Sequence, residues 1–216
     1  MKILKIEKYK GSTLRLELED GREHFISSET ASAMNLLSGT DIPESALEDI
    51  LLADKKRKAR ERALYLLDGR DYSYVELYEK LECSYGGEVA YQVVDELSEK
   101  GLINDRRYAE EIARRLYDSK GYGFYRVREE LRRRGIPEAV ISETLEKYSD
   151  QTEIKNRILK AIRSRYPGYL SGEKAEPEDR HKLKAALGRL GFCFSDIDSA
   201  LRDIDSGELG CDEEEE

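Results

Sequence analysis

The stretch from Gly101 to Gly135, GLINDRRYAEEIARRLYDSKGYGFYRVREELRRRG, predicts two short helices together with their ends. Asp105 stands where a helix N-cap is expected, and apolar residues follow it at helical spacing. Gly121 predicts the end of this first helix, because glycine adopts the left-handed conformation of a helix stop without a Cβ penalty. The stretch therefore indicates two helices joined at a glycine.

The second of these helices is predicted to end at Gly135 in a stop that recurs along the chain. Its apolar face consists of Phe124, Val127 and Leu131. In a Schellman stop, Ile136 after the glycine folds back onto Leu131. The same pattern, Leu-x-x-x-Gly followed by an apolar residue, also starts at Leu97 and at Leu187. We therefore expect a string of short helices with glycine joints.

The composition of the 216 residues predicts a thin core and an uneven surface charge. Charged residues make up 38% of the chain and hydrophobic residues 39%, which suits short helices that each bury one stripe. The formal net charge of −9 argues against a protein whose whole surface binds nucleic acid. The stretch from Arg106 to Arg134 is nevertheless basic, while the C-terminal CDEEEE is acidic. This asymmetry favours a charged partner.

Cysteine usage and hydropathy predict a soluble cytoplasmic protein. Cys83, Cys193 and Cys211 occur in no metal or redox spacing and are interpreted as cytosolic thiols. The N-terminal MKILKIEKYKG lacks the apolar core of a signal peptide, and no run approaches the ~20 apolar residues of a membrane span. We expect no metal and no cofactor.

The N-terminal segment is predicted to be a small antiparallel sheet. Residues 2–26 alternate between apolar and polar, and Lys10-Gly11 and Asp20-Gly21 supply turns. A sheet of two or three strands is marginal alone, so we favour a cap on the helices over a docking edge for a partner. A short helix from Ser28 to Leu37 follows, and a longer one opens after Pro43.

The rest of the chain predicts three tandem three-helix repeats. A capping box is expected at Ser73 and Glu76 in the first repeat, and another at Asp150 and Glu153 in the third. The predicted segments are an N-terminal β-hairpin with short helices at 1–55, repeats at 56–101, 102–148 and 149–205, and an acidic disordered tail at 206–216.

The order and spacing of several motifs resemble the RecX family of bacterial recombinase regulators. These motifs are Glu76-Leu77 with Leu81, then Gly101-Leu102-Ile103-Asn104-Asp105, Tyr108-Ala109, Lys120-Gly121 and Arg126-Val127-x-x-Glu130-Leu131-x-x-x-Gly135-Ile136. The resemblance covers about Ala59 to Ile204, and the N-terminal strands are similar to an extension found in some members. It implies a mainly α fold in which the three repeats form a curved, elongated array.

The resemblance also implies a function without catalysis. It implies binding of RecA and of its filament on single-stranded DNA, with damping of strand exchange, ATP hydrolysis and repressor cleavage. It further implies weak DNA binding, and we expect a monomer. Two departures from the family are the acidic net charge and the acidic tail. The alternatives are an independent DNA-binding regulator and a generic helical-repeat adaptor for an unrelated partner.

The candidate partner-binding residues are basic side chains of the second repeat. Arg107 and Arg114 lie seven residues apart on one outer stripe, and the arginine fork binds carboxylate and phosphate alike. The full set is Arg106, Arg107, Arg114, Arg115, Lys120, Arg126, Arg128, Arg132, Arg133 and Arg134. The hypothesis is a basic concave strip. The alternative is an ordinary solvated face paired with Glu110, Glu111, Glu129 and Glu130.

Aromatic residues beside these cations allow two interpretations. Tyr122, Phe124 and Tyr125 could stack exposed bases, or they could fill the joint between two helices, which we favour. His24 and His181 are far apart in the sequence, and no H-E-x-x-H, phosphate loop, C-x-x-C or G-x-S-x-G motif occurs. The sequence therefore favours a binding protein over an enzyme.

Overall fold

The computed structural model describes residues 1–170 and 177–207 and shows a mainly helical protein with a small antiparallel sheet, as predicted. The strands are β1 (Ile3–Lys10), β2 (Thr13–Leu18) and β3 (Glu23–Ser27). The helices are α1 (Ser28–Ala33), α2 (Glu44–Gly69), α3 (Tyr74–Tyr85), α4 (Gly87–Glu99), α5 (Asp105–Asp118), α6 (Phe124–Arg133), α7 (Glu138–Glu146), α8 (Gln151–Arg165), α9 (Pro177–Arg189) and α10 (Phe194–Asp205). A 3-10 turn at Pro167–Leu170 follows α8.

The chain divides into two compact units. Unit 1 comprises Met1–Tyr72 and Glu76–Ile103, and unit 2 comprises Ser73–Val75 and the chain from Asn104 onward. Among the described residues, no helix is both long and apolar enough to cross a membrane. Of the acidic tail predicted at 206–216, the part from Glu208 onward, with Cys211, lies outside the described residues. The predicted five-segment partition of the chain stays a prediction.

In unit 1 the sheet packs its apolar face on the first turns of α2. The strand order is β1-β2-β3, and the turns contain Gly11 and Gly21 with φ of +58° and +83°. The fully buried side chains of the sheet are Ile3, Leu16, Leu18 and Ile26, and they cluster with Leu47 and Ile50 of α2. The sheet thus gains from a helix the apolar contacts that it lacks alone.

A buried carboxylate ties the sheet to α2. Asp54 of α2 accepts hydrogen bonds from the Ser27 backbone N–H (2.8 Å) and the Thr30 hydroxyl (2.9 Å), and it pairs with Lys58 at 2.6 Å. Burial acts to raise the pKa of Asp54, but these hydrogen bonds outweigh it and the pKa lies below its ordinary value. The site fixes α1 and the end of β3 against α2.

The helices of unit 1 pack through small and branched side chains. Ala59 and Ala63, four residues apart on α2, are fully buried, and α2 contacts α4. The buried residues of α4 are Val89, Ala90, Val93, Val94 and Leu97. The predicted helix from Ser28 to Leu37 is wrong in length. It ends at Ala33, because Asn35 turns to a φ of +50° and the Leu36 N–H bonds back to the Ala31 carbonyl at 2.9 Å.

Unit 2 contains two apolar clusters, one for each set of three helices. The first cluster is built by α5, α6 and α7, and includes Tyr108, Ile112, Val127, Leu131, Ile141 and Leu145. The second is built by α8, α9 and α10, and includes Ile158, Ile162, Leu187, Phe192, Ile197 and Leu201. Backbone hydrogen bonds join the sets, from Gly123 N–H to Leu190 (2.8 Å) and from Tyr125 N–H to Gly191 (2.9 Å).

The three predicted glycine stops are confirmed. Gly101, Gly135 and Gly191 have φ of +71°, +71° and +94°. In each stop the N–H after the glycine bonds to the leucine carbonyl five residues back, at 3.0, 3.2 and 3.3 Å respectively. Each of these hydrogen bonds pairs a carbonyl that the end of a helix would otherwise leave unpaired.

The prediction that Asp105 caps α5 is wrong by one residue. Asn104 has the extended backbone of an N-cap, and its side-chain oxygen accepts the Arg107 N–H at 3.0 Å. Asp105 instead accepts the backbone N–H of Tyr74 at 2.8 Å and so serves the start of α3. Ser73 donates its hydroxyl to the Arg134 carbonyl at 2.5 Å, and its predicted role as the cap of α3 stays a prediction. The predicted cap at Asp150 is confirmed, since it accepts the Glu153 N–H at 2.9 Å.

Candidate functional site

Arg107 and Arg114 of α5 line one groove. A seven-residue separation places two side chains within ~20° of each other around a helix, and both arginines are exposed opposite the buried face. The groove has a volume of about 360 Å³. Its lining consists of Arg107, Glu110, Glu111, Arg114, Lys147 and Tyr148, and we call it the α5–α7 groove. The structure thus brings together the two arginines that the sequence placed on one stripe.

Carboxylates moderate the positive charge of the α5–α7 groove. Lys147 Nζ lies 2.5 Å from Glu110 Oε1, and this hydrogen bond lowers the pKa of Glu110 and raises that of Lys147. Arg106 is engaged next to the groove, with its Nη2 2.8 Å from Glu143 Oε2 on α7. These two ion pairs connect α5 to α7 and hold the groove walls.

The arginines of α6 pair with different carboxylates. Arg128 Nε and Arg132 Nε both contact Glu138, at 3.0 and 2.9 Å, and these hydrogen bonds lower the pKa of Glu138. Arg126 lies 3.5 Å from Glu130, and Arg133 lies 3.9 Å from the same carboxylate. Glu129 also pairs with Arg133 at 3.8 Å. The contacts of Arg126 and Arg133 are those expected for an ordinary solvated face.

The other three candidate residues lie outside the α5–α7 groove. Arg134 donates from Nη1 to the Tyr108 hydroxyl at 2.8 Å, so it fastens α6 to α5. Arg115 follows Arg114 by one residue and is therefore ~100° further round the helix. Lys120, beyond the end of α5, lines a separate cleft with α8. The ten candidate residues therefore do not form one strip.

A second groove contains an arginine that the sequence reasoning missed. It has a volume of about 330 Å³, and its lining consists of Tyr125, Arg126, Arg128, Glu129, Arg132, Gly188, Arg189 and Gly191; we call it the α6–α9 groove. Arg189 is exposed, and no carboxylate of the described ranges pairs with it. The repeated helix stop could have revealed it, because Arg189 occupies in Leu187-x-x-x-Gly191 the position of Arg133 in Leu131-x-x-x-Gly135.

The aromatic residues at the start of α6 divide between core and surface. Tyr122 packs on the cluster of α5, α6 and α7, whereas Phe124 and Tyr125 are 39% and 55% exposed. Their rings meet edge to face at 5.5 Å. The prediction that Phe124 lies on the buried face with Val127 is wrong. Backbone hydrogen bonds from Gly123 and Tyr125 join the first turn of α6 to the end of α9. The Phe124 ring therefore packs beside Tyr125 at the surface.

The fold and its surfaces define a helical protein built from sets of three short helices, with arginine-lined grooves. Comparison with known proteins makes this more specific. Residues 104–145, which contain α5 and α6 and nearly all of α7, match the family model described as RecX, second three-helix domain. A regulatory protein RecX from Trichlorobacter lovleyi is 31% identical over 131 residues, which cover 60% of this chain and 84% of that protein. The chain belongs to the RecX family.

Other relatives and solved structures agree over most of the chain. A regulatory protein RecX from Clostridioides difficile is 29% identical over 208 residues, covering 94% of this chain and 95% of that protein. A crystal structure of regulatory protein RecX has a TM-score of 0.67 at 24% identity, covering 93% of this chain and 98% of the other. RecX from Lactobacillus salivarius has a TM-score of 0.64 at 22% identity, covering 71% and 99%. At these identities the structures support the fold.

Proposed function

We propose that this chain binds RecA and the RecA filament on single-stranded DNA and negatively modulates the recombinase, ATPase and coprotease activities of RecA. Its relatives are named regulatory proteins, which supports a role in regulation. The observation that carries the proposal is the shared position of Arg107 and Arg114 in the α5–α7 groove. We propose a monomeric cytoplasmic binding protein that performs no chemistry of its own.

The chemistry of the α5–α7 groove suits an acidic protein segment. Two guanidinium groups on one face can each donate paired hydrogen bonds to a carboxylate. The groove lining has three cationic side chains against two carboxylates, and Lys147 pairs with Glu110 at the wall. Tyr148 adds a partly exposed aromatic surface on which an aliphatic side chain of a partner can pack.

The test is RecA-dependent ATP hydrolysis on single-stranded DNA, measured over a range of concentrations of this chain. We expect inhibition by the natural chain. Because each buried charge pair at an interface contributes about 1.5 kcal/mol or more, the Arg107→Glu/Arg114→Glu variant should need at least tenfold higher concentration.

The matched control is the Arg62→Glu/Arg163→Glu variant. Both residues are exposed helical arginines outside the α5–α7 groove, and the net charge changes by the same amount. This control should inhibit like the natural chain. No inhibition by the natural chain removes the proposed function, and equal weakening in both variants shows that net charge rather than the groove acts.

A second candidate function is direct binding to DNA, which the α6–α9 groove favours. Arg189 lines it without a carboxylate partner among the described residues, beside three arginines that pair with Glu130 and Glu138, and the exposed ring of Tyr125 can stack on a base. Binding to bare DNA can be separated from RecA binding by titration with single-stranded DNA at several salt concentrations. This candidate is favoured if the affinity for DNA falls steeply with salt and if the Arg107→Glu/Arg114→Glu variant binds DNA as the natural chain does.

A further inference from the structure

The end of α5 and the C-terminal half of α8 enclose a third depression in unit 2, with a volume of about 230 Å³. Its charged lining residues are Asp118, Lys120, Arg157, Lys160 and Arg165, and we call it the α5–α8 cleft. Specific contacts hold two of its arginines, Arg157 and Arg165, in place.

The rim of the cleft is fixed by a backbone contact. Arg165 Nη2 donates to the carbonyl of Lys120 at 2.7 Å, just beyond the last turn of α5. The chain turns sharply there, since Gly121 has a φ of +61°. The guanidinium of Arg165 has five N–H donors, and this bond uses one of them. The contact thus pairs a carbonyl just beyond the end of α5, and the remaining N–H donors of Arg165 can bind a ligand.

The inner wall of the cleft is rigid as well. The Arg157 guanidinium lies over the rings of Tyr117 and Tyr148, at 4.8 and 5.3 Å from their centroids. Those two rings stack on each other at 4.3 Å. Arg157 also pairs with Glu153 at 2.6 Å. A ligand would therefore meet an inner wall that is already ordered, and binding would have to order mainly the exposed lysines.

The described part of the protein compensates only some of the positive charge of the cleft. Four cationic side chains line it against one carboxylate, Asp118. Lys120 and Lys160 are exposed, and no carboxylate in residues 1–170 or 177–207 lies within ion-pair distance of either. In the α6–α9 groove, by contrast, Arg126, Arg128 and Arg132 all contact carboxylates. Excess cations in a chain of net charge −9 favour an anionic ligand.

We propose that the α5–α8 cleft binds phosphate groups. Two ammonium groups and the free donors of Arg165 offer more hydrogen bonds than one carboxylate can accept, whereas a phosphate group has enough oxygens to use them. The small volume suits one or two phosphate groups. The same chemistry is presented by a free polyphosphate, as in a nucleotide, and by the phosphodiester backbone of a nucleic acid.

The test is isothermal titration of the whole chain at low salt, with sodium tripolyphosphate in one arm and a twenty-nucleotide oligothymidylate in the other. We expect saturable binding of tripolyphosphate. Because a charge-assisted contact contributes about a factor of ten, Lys160→Glu should weaken binding at least tenfold. Lys10→Glu is the control, since it makes the same charge change at an exposed lysine of β1 in unit 1.

The outcomes show which source of phosphate the cleft binds and whether the proposal holds. If Lys160→Glu weakens both ligands, the site accepts a phosphodiester strand. If it weakens tripolyphosphate alone, the ligand is a free polyphosphate. The proposal is overturned if tripolyphosphate does not saturate, or if Lys10→Glu weakens it as much as Lys160→Glu. RecA is absent from this assay, so its result is independent of the proposed function.

Discussion

Replacing Gly135 by alanine tests whether the stop of α6 is constrained by a neighbouring helix as well as by its backbone. Gly135 has a φ of +71°, and a Cβ there would overlap the Val75 Cβ and lie 2.6 and 2.7 Å from its two Cγ atoms. Left-handed backbone costs a residue with a Cβ about 1–2 kcal/mol. Overpacking against a side chain adds about 1–3 kcal/mol. We expect Gly135→Ala to lower the free energy of unfolding by about 2–5 kcal/mol.

Two other glycines serve as controls that separate the cost of packing against Val75 from the cost of the left-handed backbone. Gly101 ends α4 in the same Schellman stop with the same φ of +71°, and Gly121 follows α5 in unit 2 with a φ of +61°. A Cβ at either position would meet no atom within 4 Å. Gly101→Ala and Gly121→Ala should therefore lower the free energy of unfolding only by the backbone cost of about 1–2 kcal/mol.

The assay is urea unfolding followed by circular dichroism for all three variants. A second comparison places Gly135→Ala in a Val75→Gly background, which removes the three atoms that the new Cβ would contact. There the cost of Gly135→Ala should fall to that of Gly121→Ala. Equal losses for all three single variants, or no relief in the Val75→Gly background, would refute the packing argument.

Two further predictions concern polar contacts that join distant parts of the chain. Asp54→Ala should destabilise unit 1 by about 2–4 kcal/mol at neutral pH in urea unfolding, because the Ser27 N–H and the Thr30 hydroxyl lose their buried acceptor. Since folding lowers the pKa of Asp54 below its ordinary 3.8, the natural chain should lose this stability as the pH falls through the folded pKa, and Asp54→Ala should lack that part of the acid sensitivity. Asp105→Ala should speed hydrogen exchange of the Tyr74 amide, whereas Asn104→Ala should cost about 1 kcal/mol through the lost cap of α5 and leave that amide protected.

The candidate site was only partly predictable, because helical spacing says nothing about neighbouring elements. The shared groove of Arg107 and Arg114 follows from their seven-residue separation on one helix. The positions of Arg134 and Arg189 do not follow from spacing. Arg134 lies among arginines on the sequence but reaches the Tyr108 hydroxyl, 26 residues away. Arg189 belongs to α9 and meets α6 because Gly123 and Leu190 are joined through their backbones.

The sequence alone determined the strands, most helices and the glycine stops, because these depend on hydrogen bonds and backbone angles within a few residues. The turns at Gly11 and Gly21 and the stop at Gly135 are of this kind. Only the tertiary structure decided that Asp105 accepts the Tyr74 N–H and that Glu138 pairs with two arginines. It also decided that Lys120 and Lys160 line one cleft. Those contacts join separate helices, and their geometry depends on how the apolar faces pack, which local spacing does not specify.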